Sequence, residues 1–195
     1  MTDRYLVTLH GHGGSAELAA DWAARLDPTA SWHHITPQGP VVETTGGHAW
    51  FVDHAGSPHG VTAAGRVIAS LLSGLVEDAG VDPGRIAVAG WSQGAAAALA
   101  ALTTTRTHRV GALLVASGFL AEGDAEYDLA SLAGLPVLLQ HGVHDEVVPA
   151  FFAADLAASL TAAGAVVSQQ RFELGHERSP EADAAAQDWL ESVIP

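Results

Sequence analysis

Short apolar runs alternate along this chain with longer stretches whose apolar positions recur at helical spacing. Tyr5-Leu6-Val7-Thr8-Leu9 is the first such run and reads as a buried strand. Ser15 then stands where it can cap a helix from Ala16 to about Leu26, with Trp22 on the buried side. Ser31 to Ile35 is a second, weaker strand, and the Gly- and Pro-rich stretch Thr36 to Gly60 reads as a long loop. Thr62 to Ala79 has helical periodicity and is stopped by Gly80. Ile86 to Ala89 is a strand, followed by an alanine-rich helix reaching to about Thr105. Val110 to Ala116 is a strand and Ser117 to Leu135 is mostly loop. Val137 to Gln140 is a further strand, Ala150 to Ala163 a helix ended by Gly164, and Val166 to Phe172 the last strand. Pro180 suits the first turn of a closing helix that runs to about Ile194. This βαβα order predicts an α/β protein with a mostly parallel central sheet and helices on both faces.

The Thr36–Gly60 connection is long for a compact domain, and connections of that kind are usually functional. It carries Trp50-Phe51, whose large apolar side chains are expected to pack over something, either the sheet edge or a substrate pocket. The chain shows no internal repeat and no domain boundary. Its 195 residues suit one domain with a single core and no separate lid.

Composition narrows the function. A hydrophobic content of 48% with 15% charged residues describes a compact globular protein. No window approaches the ~20 apolar residues of a membrane span, so no stable membrane insertion is expected. Met1-Thr2-Asp3-Arg4 leads straight into a strand without the basic and apolar regions of a signal peptide, and the expected location is cytoplasmic. The absence of cysteine removes disulfides, thiolate metal sites and a cysteine nucleophile. Lysine is absent too, which removes Schiff-base chemistry and a phosphate-loop lysine. A net charge of −14 argues against nucleic acid as a partner and reads as solubility.

Gly90-Trp91-Ser92-Gln93-Gly94 sits between the Ile86–Ala89 strand and the alanine-rich helix. A serine at the apex of such a strand–turn–helix has its hydroxyl exposed above the sheet, and the helix it opens offers free N–H groups to an anion. A chance match to this pattern is expected at a frequency on the order of 0.1 for a chain of this composition, so context must confirm it. A serine hydroxyl needs a base, and histidine is the natural choice near neutral pH. Reactive groups of a parallel sheet lie beyond the C-terminal ends of its strands. Of the 11 histidines, that filter favours His10, His141, His144 and His176 over His33, His34, His48, His54, His59 and His108. His176 follows the last strand, and Asp145 follows the Val137–Gln140 strand. Ser92, Asp145, His176 is the chain order of the α/β-hydrolase triad, with each member after a separate strand. For the oxyanion, the expected donors are the backbone N–H of Gln93 and that of His12, in the loop His10-Gly11-His12-Gly13-Gly14. His10 and His12 are spaced as strand neighbours sharing a face, but no third ligand completes a zinc site, so no metal is expected.

With these residues in place, the chain resembles the carboxylesterase/phospholipase family of α/β-hydrolases, which includes the acyl-protein thioesterases. Leu9-His10-Gly11-His12-Gly13-Gly14-Ser15 is similar to its oxyanion loop, and Thr36-Pro37-Gln38-Gly39-Pro40 with Trp50-Phe51 to its acyl-pocket segment. The serine turn, including Gln93, Val115-Ala116-Ser117-Gly118-Phe119-Leu120, the acid loop His141 to Pro149 and Gly175-His176-Glu177 complete the match in order. The resemblance implies an α/β-hydrolase fold and a serine hydrolase with no metal or organic cofactor. It would act on small-molecule carboxylic esters, including lysophospholipids or thioesters, and could form a homodimer. It also implies that Ser92 attacks, His176 shuttles the proton, Asp145 orients His176, and Trp50, Phe51, Phe119 and Val148 shape the acyl side. The chain departs from the pattern at Trp91, bulkier than usual before the serine, at Ala95, where glycine is common, and at Arg178, where an apolar residue is expected. A serine peptidase or dienelactone-type hydrolase would use the same triad, and a non-catalytic ligand-binding module would use the same fold.

Overall fold

The structure, a computed structural model, describes residues 3–44, 46–52, 59–104 and 110–195. In chain order the strands are β1 (Tyr5–Leu9), β2 (His33–Ile35), β3 (Val41–Val42), β4 (His48–Ala49), β5 (Ile86–Trp91), β6 (Ala112–Ala116), β7 (Pro136–Gly142) and β8 (Val166–Phe172). The helices are α1 (Ala16–Leu26), α2 (Val61–Ser73), α3 (Gln93–Thr104), α4 (Ala150–Ala162) and α5 (Pro180–Val193). Six strands form one parallel sheet in the order β2-β1-β5-β6-β7-β8. The chain steps outward from β1 to β2, crosses back to β5 on the other side of β1, and then steps outward again. Loops leaving β1 and β5 therefore part in opposite directions, opening a crevice at the carboxyl ends of these two strands.

Alternation along the strands separates the two faces. Val7, Leu9, Val88, Leu113, Val115, Val137 and Leu139 pack with α2, α3 and α4. Leu6, Ala87, Ala89, Ala112, Leu114, Ala116 and Leu138 pack with Trp22 and Leu26 of α1 and with Ala186 and Leu190 of α5. The second face is rich in alanine, which leaves room for Trp22 and Trp32. Helix α3 is buried from Ala95 to Ala101, as expected of a helix that is apolar all round. Its small side chains let α2 come close: a Cβ on Gly65 would lie 3.0 Å from the carbonyl carbon of Ala100.

The predicted elements are present, with shifts at their ends. Strand β5 continues through Trp91, and β7 runs from Pro136 to Gly142, which takes His141 into the strand. Strand β6 begins at Ala112, later than the Val110 expected. Helix α2 stops at Ser73 and a π-helical turn, Gly74–Asp78, replaces its expected last turn. The predicted end of α3 at Thr105 lies outside the described residues. The Thr36–Gly60 connection holds a small antiparallel ribbon of β3 and β4, and Gly14 bridges to His48. Strands of two residues carry no periodicity, so pattern alone reads them as loop.

Gly94, in the first turn of α3, abuts the end of β1. A Cβ there would lie 2.6 Å from the Leu9 carbonyl oxygen and press equally on that of His10. Gly94→Ala is therefore expected to destabilise the protein by about 2 kcal/mol or more through overpacking. The check is a lower urea midpoint with an unchanged m-value.

Candidate active site

Ser92 stands alone between β5 and α3 with φ +52°, a left-handed conformation that is strained for a residue with a side chain. Its N–H donates to the Ala116 carbonyl (2.9 Å), and its carbonyl accepts from the N–H groups of Ala95 (3.0 Å) and Ala96 (3.2 Å). The turn closes because Gly90 has no side chain: a Cβ there would lie 2.5 Å from the nitrogen of Ala95. Gln93 is the first residue of α3, so its N–H has no partner within the helix.

The loop after β8 delivers His176 to this serine. His176 Nε2 lies 3.1 Å from Ser92 Oγ, and Nδ1 lies 2.8 Å from Asp145 Oδ2. Asp145 follows β7 and is buried; its Oδ1 accepts from the N–H groups of Val147 (3.0 Å) and Val148 (2.8 Å). Burial opposes ionisation of this carboxyl, but the hydrogen bonds from His176, the Val148 N–H and the Ser117 hydroxyl prevail and hold it below the usual carboxylate range. An ionised Asp145 assigns the ring proton to Nδ1 of His176, leaving the lone pair of Nε2 facing the serine hydroxyl.

The other histidines favoured by position do not reach the serine. His141 is buried behind the acid, with Nε2 2.7 Å from the Val148 carbonyl and 3.5 Å from Asp145 Oδ2; the shorter contact marks Nε2–H as donor to Val148. His144 is exposed and pairs with Glu173 at 2.9 Å. His10 lies under the loop that follows β1: its Nδ1–H donates to the Gly11 carbonyl (2.8 Å), and its Nε2 accepts from the Gly39 N–H (2.9 Å). Both nitrogens are thus engaged, and neither is left for a metal. Among the histidines set aside, His34 bonds Asp27 and His48 bonds the Gly39 carbonyl, while His54 and His108 lie outside the described residues.

Gly11 to Gly14 form a turn closed by Gly14 N–H to the Gly11 carbonyl (3.1 Å), with Gly13 at φ +68°. His12 occupies its corner with an exposed side chain, 3.4 Å from the Glu43 carboxylate. Gln93 contributes more than a backbone amide. Its side chain accepts from the Trp50 N–H (2.8 Å) and donates to the Phe51 carbonyl (3.0 Å). Trp50 Nε1–H in turn donates to the His10 carbonyl (2.8 Å).

These contacts correct the expected acyl wall. Trp50 is 0% exposed and Phe51 4%, and both belong to the main core. Val148 is buried too, and both of its backbone groups hold the acid loop. Phe119 alone of the expected set is half-buried. The indole beside His10 was better satisfied by packing there and donating to a buried carbonyl than by lining a cleft. Sequence reasoning did not find the Gln93 clamp, the Ser117 hydroxyl or the His141 support. A signal existed for Ser117 alone, a Ser-Gly pair closing an apolar strand.

The parallel sheet, its strand order and its two helical layers define an α/β-hydrolase fold. The chain belongs to the phospholipase/carboxylesterase family, whose model matches residues 2–194, and is thereby a carboxylic-ester hydrolase. It is 28% identical over 170 residues to acyl-protein thioesterase 1 of Kluyveromyces lactis, covering 77% of this chain and 73% of that protein. Its structure is similar to that of esterase PE8, with a TM-score of 0.83 at 22% identity over 98% of this chain and 93% of that one. The Bacillus cereus carboxylesterase gives a TM-score of 0.83 at 20% identity, over 98% and 89% of the two chains. Arabidopsis thaliana SOBER1 gives 0.81 at 21%, over the whole of both. Among the described residues no helix is long and apolar enough to cross a membrane.

Burial, foremost, pushes the His10 imidazole below its ordinary value, and the hydrogen bond to Gly11 only partly opposes this. A folded-state pKa below the unfolded value of about 6.5 means that the unfolded chain takes up the proton first. The contribution of His10 is therefore present above that value and lost as the pH falls below it. His10→Gln should destabilise the protein more at pH 7.5 than at pH 5.5, as read from urea unfolding at the two values.

Proposed function

We propose that the protein hydrolyses carboxylic esters through an acyl-enzyme formed on Ser92. The observation that carries this reading is the continuous hydrogen-bonded chain from Ser92 Oγ through His176 to Asp145. In the first step His176 Nε2 takes the hydroxyl proton as Ser92 Oγ attacks the ester carbonyl. Asp145 keeps the imidazole in the required tautomer and stabilises its cation. The backbone N–H groups of His12 and Gln93 receive the oxyanion; the Gln93 amide is suited to this because it opens α3, whose positive dipole end faces the developing charge. His176 returns its proton to the departing alcohol, and a water activated by the same nitrogen then releases the acid. The substrates are short or medium acyl esters, with thioesters and lysophospholipids as variants of the same carbonyl chemistry, and Phe119 meets the acyl chain.

Three experiments test this reading. Ser92→Ala is expected to keep the fold, by circular dichroism, and to lower kcat on p-nitrophenyl butyrate by at least about 10³-fold. An activity that survives in that variant removes Ser92 from the mechanism. A fluorophosphonate probe should label the wild type at Ser92 by mass spectrometry; a properly folded protein that takes no label would instead be a binding module. Asp145→Asn, which lets the ring adopt the wrong tautomer, should lower kcat by about 10²–10⁴-fold with a smaller change in KM.

A further inference from the structure

Arg178 follows the histidine loop, and its side chain is half-buried beside two indoles. The group lies over the ring of Trp22 (4.8 Å to the centroid) and beside that of Trp91 (5.4 Å). Burial, foremost, pushes its pKa down to about 10; the neighbouring Arg25 pushes the same way, and the Asp183 and Asp21 carboxylates only partly oppose this. A cation so placed would ordinarily be matched by a carboxylate. The obvious candidate is Asp183, also buried, but each of its oxygens is directed at another donor: Oδ1 accepts from Trp22 Nε1 (2.9 Å) and Oδ2 from Arg25 Nε (2.7 Å). Among the described residues Arg178 has no ion pair and no hydrogen-bond acceptor.

Arg178 borders a cavity of about 190 Å³ whose other walls include Gly11, His12, Gly13, Leu18 and Trp91. The cavity would hold about six waters at roughly 30 Å³ each, which is room for a few carbons ending in a small charged group. One side of it is the loop expected to supply an oxyanion donor. Trp91 forms another side and also packs on His176, ring centroids 5.0 Å apart. Gly11 adjoins both Trp91 and Ser92: a Cβ on it would lie 2.7 Å from Trp91 Cδ1 and 3.5 Å from Ser92 Cβ. The unpaired cation is thus one indole away from the reacting groups.

We propose that Arg178 is a specificity-determining residue that binds a carboxylate carried by the ester substrate, held in the cavity beside the Gly11–Gly14 turn. The inference rests on the reading of Ser92 as nucleophile. A guanidinium seated against two indoles, with no acceptor of its own among the described residues, has N–H groups to offer, and its planar fork fits the two oxygens of a carboxylate. A monoanion suits the site better than a doubly charged phosphate, because a single cation faces the cavity and the chain as a whole carries −14.

The test compares matched esters that differ in one charge. Monoethyl glutarate against ethyl pentanoate places the carboxylate on the acyl side, and 4-acetoxybutanoate against butyl acetate places it on the alcohol side. Acid release is followed at pH 7.5 for the wild type, Arg178→Met and Arg178→Lys. In one of the two arms the wild type should favour the charged ester in kcat/KM by about 10- to 100-fold, through KM. Arg178→Met should abolish that ratio, and Arg178→Lys should restore part of it. Glutarate should inhibit butyl acetate hydrolysis competitively and more tightly than inorganic phosphate. Should Arg178→Met not fold, the wild-type ratios and the glutarate competition decide alone. Neutral esters turned over with no preference for charge in either arm would overturn the proposal, as would phosphate binding more tightly than glutarate. A wild type that turns over no ester and takes no fluorophosphonate label would instead overturn the assignment of Ser92.

Discussion

The site depends on how closely the first turn of α3 approaches the end of β1. Gly94 touches the carbonyls of Leu9 and His10, and Gly90 touches the backbone of Ala95. With both side chains absent, the chain can leave β5, reverse within one residue and enter a helix that lies flat on the sheet. Ser92 is the residue at which this reversal occurs, and its left-handed φ follows from it. The strain is local and is held in place by three backbone hydrogen bonds, one to β6 and two within α3. A strained serine at the switch point of the sheet is therefore an outcome of packing, and the same turn holds its hydroxyl beside His176.

Around that turn, buried polar side chains fasten the loops that carry the other groups. His10 ties the turn after β1 to Gly39, Gln93 ties α3 to the Trp50–Phe51 backbone, and His141 ties the acid loop to the end of β7. Each of these bonds joins a side chain to main chain, and each is enclosed by apolar neighbours. In such surroundings a lost partner costs more than the bond itself, so each loop has one low-energy position. Loops leaving a sheet are otherwise its most mobile parts. Here they are fixed by residues within a turn of His12, Ser92 and Asp145 in the sequence.

Most of the fold could be read from the chain because its signals are local. Apolar runs such as Val7 to Leu9 and Leu113 to Val115 are buried on both faces, and Ser15 and Ser179 cap α1 and α5 through their own hydroxyls. The meeting of Ser92, Asp145 and His176 was legible for a different reason: topology sends every strand end to the same edge. The errors arose where contacts between distant residues decide. Trp50 reads as an aromatic over the sheet edge or a substrate pocket until the carbonyl of His10, 40 residues away, accepts its indole proton. His141 reads as a loop histidine until β7 is seen to pair with β8 through Gly142 and Phe172. Nothing in the local sequence states that pairing.

The alanine bias of the chain also bears on the site. On the α1 and α5 face the central strands present Ala87, Ala89, Ala112 and Ala116, so the helices there can rest on large rings. Trp22, Trp32 and the partly buried Trp91 and Trp189 all take up that space. A bulky residue before the serine is tolerated because the strands beneath that face are small. Trp91 and Trp22 then offer ring faces to the Arg178 guanidinium, which makes no ion pair among the described residues, and the aromatic quadrupole supplies part of the solvation lost on burial. Two of the three departures noted in the sequence, Trp91 and Arg178, are thus one arrangement: the indole makes the site that the arginine fills.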